Sequence, residues 1–161
     1  MVVLVGRPRD DVRAWTGVVQ RRDGRDQPLA QAMLEATRET LATIDALGPR
    51  SLLVERLVMP ETFDPADCLA TTGKAADCAV PVPTDVAPSD GYYLTAAAES
   101  PRVFTANLNP AFCPGAPVCS PVVDGEVVWR DDHHVTARYA TERRDEVWRL
   151  IKQSGVLATA S

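Results

Sequence analysis

The sequence predicts an α/β fold, a three-layer sandwich with a parallel sheet. Three features point to it: an apolar run at the start, a helical pattern from Pro28 to Leu47, and a second apolar run from Leu52 to Met59. Strand, helix, strand in that order is a crossover unit, whose strands lie parallel with the helix packed on the sheet. Val2 to Val5 is a continuous apolar run closed by Gly6, which reads as a short buried strand opening into a loop. From Pro28 to Leu47 the positions Leu29, Met33, Ala36, Thr40, Ile44 and Leu47 recur at helical spacing, and Gly48-Pro49 stops the pattern. Leu52 to Met59 follows as the second strand and ends at Pro60.

The middle of the chain is less regular. Residues 60 to 90 hold Pro60, Pro65, Pro81, Pro83 and Pro88, so the spacing predicts an excursion with no core element. A short helix is expected from Tyr92 to Glu99, and Arg102 to Leu108 reads as a third strand. Val122 to Trp129 carries the sharpest local signal, Asp124-Gly125 between β-rich flanks, which predicts a tight hairpin. Beyond it Val135, Tyr139, Ala140, Val147, Leu150 and Ile151 outline a closing helix, whose face Arg143 and Arg144 interrupt.

With 161 residues, 45% of them hydrophobic and 24% charged, the chain is large enough for one ordinary folded domain with a fair core. A net charge of -5 supplies no field for a phosphate backbone, and Asp23 and Asp26 break the basic cluster Arg21, Arg22, Arg25, so nucleic acid is not an expected partner. Nothing approaches the apolar length of a membrane span, and the Met1 to Val5 start lacks the basic region and cleavage site of an export signal. The cysteines point outward nonetheless. Cys68 with Cys78, and Cys113 with Cys119, each close a short proline- or glycine-containing loop, as disulfides in an oxidising compartment do. Zinc is the rival use, although the tight C-x2-C spacing of structural zinc is missing, and buried free thiols are the third possibility.

The chemistry concentrates in Trp129 to Thr136, where both histidines of the protein meet two carboxylates. An imidazole moves protons near neutral pH when an acceptor on its other nitrogen fixes the tautomer. Asp131 and His134, three apart, fit that arrangement if the chain turns into a helix here, because such positions share a helix face. The alternative is that Asp131 or Asp132 is only a helix N-cap and the histidines are solvated.

The stretch Phe112 to Cys119 and then Pro121 to Ala140 resembles the end of the SGNH domain fused to membrane-bound acyltransferases of family 3. There a cysteine loop and a short hairpin lead into Asp-x-x-His, a Leu-Ser or Leu-Thr-like pair and a final helix. The upstream order of strand, long helix, strand ending in Pro and cysteine loop is similar too. The resemblance implies acyl-ester chemistry on cell-surface glycans without a cofactor, with Asp131 orienting His134 and His134 taking the proton from a serine. Asp132 and His133 fall on the variable positions of the motif.

This sequence departs from that pattern at the nucleophile and at the oxyanion block, where no asparagine follows the glycine. The family nucleophile sits in a Gly-Asp-Ser block after the first strand, and the chain contains none. Ser89-Asp90-Gly91 has those residue types reversed in a proline-rich stretch, and Ser51, Ser100, Ser120, Ser154 and Ser161 lack supporting context. After Val2 to Val5 comes Gly6-Arg7-Pro8-Arg9, in which Gly6 is the candidate backbone donor to an oxyanion, or else a plain strand-end glycine.

The expectation is therefore a single partial SGNH-like domain over 1–161, N-terminally incomplete and inactive alone, with 60–120 as a cysteine-containing excursion and connection. Its expected partners are the missing N-terminal segment, a membrane acyltransferase domain and a glycan or acyl ester. The cysteine pairs and the resemblance imply an extracytoplasmic location. Two alternatives differ in chemistry. One is a non-catalytic module of the same fold binding a glycan or a protein partner; the other is a small metal-binding protein using Asp131, His133, His134 and cysteines.

Overall fold

All four residues of the strand Ser51–Val54 are buried, and the rest of its sheet is arranged around them. In the computed structural model, residues 1–6, 18–21, 23–60, 63–82 and 87–158 are described. The elements run β1 (Val2–Leu4), β2 (Val18–Gln20), β3 (Asp26–Pro28), α1 (Leu29–Ala46), β4 (Ser51–Val54), α2 (Pro65–Thr72), β5 (Val80–Pro81) and α3 (Pro88–Glu99). They continue through β6 (Val103–Ala106), α4 (Asn109–Phe112), β7 (Val118–Cys119), β8 (Val122–Val123), β9 (Glu126–Val127), α5 (Ala137–Glu142) and α6 (Arg144–Gln153). They divide into two compact units: Met1–Arg56 with Val86–Asn107 and Ile151–Ser161, and Leu57–Asp85 with Leu108–Leu150. Arg7, Pro8, Arg9, Arg22, Pro83 and Ser161, named above, lie outside the described residues.

In the first unit β1, β4 and β6 form a parallel sheet in that order, with Leu4 opposite Leu53 and Leu53 opposite Thr105. Side chains alternate between faces along each strand. On one face Leu53 and Val103 pack with Leu41 of α1 and Ala96 of α3, and Leu4, Tyr93 and Ala97 close around them. On the other face Phe104 meets the C-terminal stretch: Gly155 sits beside its ring, and the Arg50 guanidinium lies 5.8 Å from the ring centre while donating to the Val156 carbonyl at 3.1 Å. Helices, sheet and C-terminal segment make three layers, and the α/β class with a parallel sheet is the one the crossover pattern predicts.

The details differ from the sequence reading in four places. β1 is an edge strand, with Val3 42% and Val5 71% exposed, because among the described residues it pairs on one side only. An apolar run does not reveal how many neighbours a strand has. The buried stripe of α1 runs through Leu29 and Leu41, while Leu47 is 80% exposed beyond the helix end. There Gly48, at φ 93°, takes the left-handed conformation and its N–H reaches the Asp45 carbonyl. The second strand stops early because side chains take over from the ladder. The Arg56 N–H donates to Asp90 Oδ1 and the Val58 N–H to Asn109 Oδ1, both at 2.7 Å. Finally, α3 begins at Pro88, one turn before Tyr92, since a proline is well suited to a first helical turn.

The second unit carries more regular structure than its prolines suggest. Asp64 caps α2 by accepting from the N–H groups of Ala66 and Asp67, and Gly73 ends the helix at φ 65°. The sulfurs of Cys68 and Cys78 lie 2.00 Å apart and those of Cys113 and Cys119 2.08 Å, and β5 pairs antiparallel with β7, placing Val80 opposite Cys119. Replacing Cys68 and Cys78 together by serine should cost about 2–3 kcal/mol, the loop entropy a bridge of this span removes from the unfolded chain. A urea midpoint measures that loss, and the intact mass should rise by about four protons when both bridges of the native protein are reduced. An unchanged midpoint or mass would contradict the pairing.

Candidate functional site

The site begins at a turn that only certain residues can make. Asp124 and Gly125 take φ values of 53° and 84°, the left-handed pair of a tight hairpin turn, and join β8 to β9. Pairing then continues past the strands. The Val128 N–H donates to the Pro121 carbonyl at 2.9 Å, Trp129 bridges Val135, the Arg130 N–H donates to the His134 carbonyl at 2.8 Å, and the Thr136 N–H donates to Val128 at 2.8 Å. Asp131, Asp132 and His133 are therefore the tip of a second tight loop, closed at its neck by Arg130 and His134.

That loop brings Asp131 and His134 together. His134 Nδ1 lies 2.8 Å from Asp131 Oδ1 and 2.9 Å from Oδ2. The same carboxylate accepts the His133 N–H at 2.8 Å and the Arg130 Nε–H at 3.2 Å. A loop, not the helix face expected from the i, i+3 spacing, brings the two together, because α5 starts only at Ala137 and its N-cap is Thr136. Neither Asp131 nor Asp132 caps that helix. The signal for the Thr136 cap is a threonine directly ahead of a helical pattern, a preferred cap residue like the aspartates upstream.

The His133 N–H, first among several donors, lowers the Asp131 pKa from 3.8 to about 2, against the opposing effect of burial; His134 and Arg130 act the same way. An ionised carboxylate only accepts hydrogen bonds, so Nδ1 donates to it, and in a neutral ring the lone pair then lies on Nε2. With its side chain 62% exposed, His134 presents that lone pair to solvent. A group with a depressed folded pKa contributes stability that is complete above its unfolded value and lost as pH falls through the folded one. The urea midpoint should therefore drop between pH 3.8 and about 2, and Asp131→Asn should flatten that slope. Equal slopes in both proteins would exclude the assignment.

The remaining predicted residues are placed as follows. His133 Nδ1 faces Asp132, and the two histidine rings are 6.4 Å apart. Asp131, Asp132 and His133 also offer ligand atoms within 4.8 Å of one another. Both cysteine pairs are bonded to each other, so the metal-binding alternative loses its thiolate ligands. Gly6 lies exposed just beyond β1 in the first unit, where a Cβ would sit 3.5 Å from the Tyr93 hydroxyl. Ser89 is fully buried in the first turn of α3, which withdraws the reversed triplet from any ester in solvent. Ser120 and Ser154 donate to the carbonyls of Val122 and Ile151.

The parallel sheet with its flanking helices is an α/β architecture, which by itself suits many chemistries. Residues 1–148 match the family described as SGNH domain (fused to AT3 domains), and the chain belongs to that family. Comparison with curated proteins and with solved structures gives no match. Fusion to such domains makes a membrane acyltransferase domain the family's partner, and among the described residues no helix is long and apolar enough to cross a membrane.

Proposed function

We propose that this chain is the C-terminal part of an SGNH-type O-acyltransferase or esterase domain acting on acyl esters of cell-surface glycans. The contact of His134 Nδ1 with Asp131 carries the reading. In it, His134 Nε2 takes the hydroxyl proton of a serine as that oxygen bonds to the acyl carbon, then passes the proton to the departing alcohol oxygen. An acceptor hydroxyl, or water, reverses the sequence and regenerates the serine. Asp131 holds the tautomer and stabilises the imidazolium. The serine belongs to a Gly-Asp-Ser block on polypeptide that joins this chain to form one domain, and the partner is a membrane acyltransferase domain. Two disulfides support a location outside the cytoplasm, where such bonds persist.

The test compares turnover of a chromogenic acyl ester by the 161-residue chain and by the same chain extended through a Gly-Asp-Ser block. Turnover should be absent from the first and present in the second. Serine-dependent turnover by the unextended chain would sink the proposal. A non-catalytic module of the same fold is the second reading, favoured by the missing block and by the burial of Ser89. Glycan binding with no turnover in the extended chain would establish it.

A further inference from the structure

We propose that Thr136 is a positioning residue for His134: its hydroxyl ties the chain leaving the imidazole to the β8–β9 hairpin while starting α5, and this double attachment holds Nδ1 against Asp131. The proposal deepens the acyl-transfer reading and rests on it for its consequence. Its structural content stands on the loop alone.

A hydroxyl has one proton to give and lone pairs to receive, and Thr136 uses both capacities. Oγ1 donates to the Val127 carbonyl at 2.6 Å and accepts the Tyr139 N–H at 3.3 Å. The Thr136 backbone N–H adds the bond to the Val128 carbonyl at 2.8 Å. Two residues upstream, the His134 carbonyl is held by the Arg130 N–H. The imidazole thus leaves a backbone pinned on both sides.

The helix that Thr136 starts is itself anchored. Tyr139 is fully buried and its hydroxyl donates to the Ala111 carbonyl at 3.2 Å. The Arg143 guanidinium lies 4.9 Å from the Tyr139 ring centre and pairs with Asp124 in the hairpin turn. Arg138 pairs with Glu126 at 2.6 Å. Hairpin and helix form one clamp, and Thr136 is where the chain passes from one to the other. Without the hydroxyl, the neck keeps its backbone bonds but loses the strap to Val127 and the cap of α5. The His134 ring is mostly exposed and has little packing to hold it otherwise.

The experiment reads the imidazole nitrogens of the full chain by 15N nuclear magnetic resonance. In the native protein His134 should show the fixed tautomer with the proton on Nδ1. Thr136→Val should move its nitrogen signals toward those of a freely exchanging imidazole, Thr136→Ser should restore them, and His133 should stay unchanged in both. Thr136→Asp keeps a cap acceptor for Tyr139 but cannot donate to Val127, so it should behave like the valine variant. It also carries the test if Thr136→Val fails to fold. A native tautomer in Thr136→Asp, or a serine variant that does not restore it, would overturn the proposal. In the extended chain, Thr136→Val should lower kcat with little change in KM. Loss of the tautomer with unchanged turnover would count against the acyl-transfer reading and leave the strap standing.

Discussion

Substituting His134 by alanine in the chain extended through its Gly-Asp-Ser block is expected to reduce acyl-ester turnover by on the order of 10⁶-fold, and Asp131→Asn by roughly 10⁴-fold. The two numbers differ because the residues do different work. Without the imidazole nothing accepts the serine proton. Without the carboxylate the base remains, but an amide can donate to Nδ1 and favour the wrong tautomer. Asp131→Asn keeps one amide oxygen that can accept the His133 N–H, but removes the charge and the second oxygen that draw in Arg130. Asp132→Asn and His133→Ala serve as controls, since they flank the contact without making it, and should stay within about tenfold of the native rate. Single-turnover measurements on an activated ester separate these outcomes from effects on binding. Retention of most activity in His134→Ala would remove the imidazole from the mechanism.

Trp129→Ala is expected to lower stability by about 3–5 kcal/mol, the range for emptying a buried aromatic site. That is a large fraction of the roughly 5–15 kcal/mol by which domains are folded. Trp129 is fully buried two residues before Asp131, and its backbone bridges Val135 just after His134. Losing the indole should therefore both destabilise the protein and loosen the neck of the loop. Its Nε1–H is buried without a hydrogen-bond partner among the described residues, so Trp129→Phe gives up volume and leaves no acceptor unsatisfied. The phenylalanine variant should lose clearly less. Urea unfolding followed by circular dichroism measures both, and a small loss in the alanine variant would show that the indole is not structural.

The crossover, the third strand and the hairpin are legible because each has a local cause. Alternating periods separate α1 from β4, and Asp124-Gly125 supplies two residues that accept left-handed backbone. The cysteine pairs are legible because each partner is the nearest available in sequence. What escapes the sequence is set by distant segments. Whether Val2–Leu4 is central or marginal depends on which strands lie beside it. The end of β4 depends on Asp90, far along the chain. At the site, spacing alone brings Asp131 to His134, but the route is a closed loop because Arg130 bonds His134 and the helix waits for Thr136. The anchoring of Tyr139 on Ala111 has no local signature.

Because Asp131 and His134 ride on a single loop with its own closing bonds, their alignment is inherited largely from neighbouring residues. A partnership assembled from two remote segments would have to be re-tuned whenever either segment drifted. The bonds that close the loop lie between Pro121 and Tyr139, while the Tyr139 hydroxyl on the Ala111 carbonyl and the Arg143–Asp124 pair fix that stretch to its surroundings.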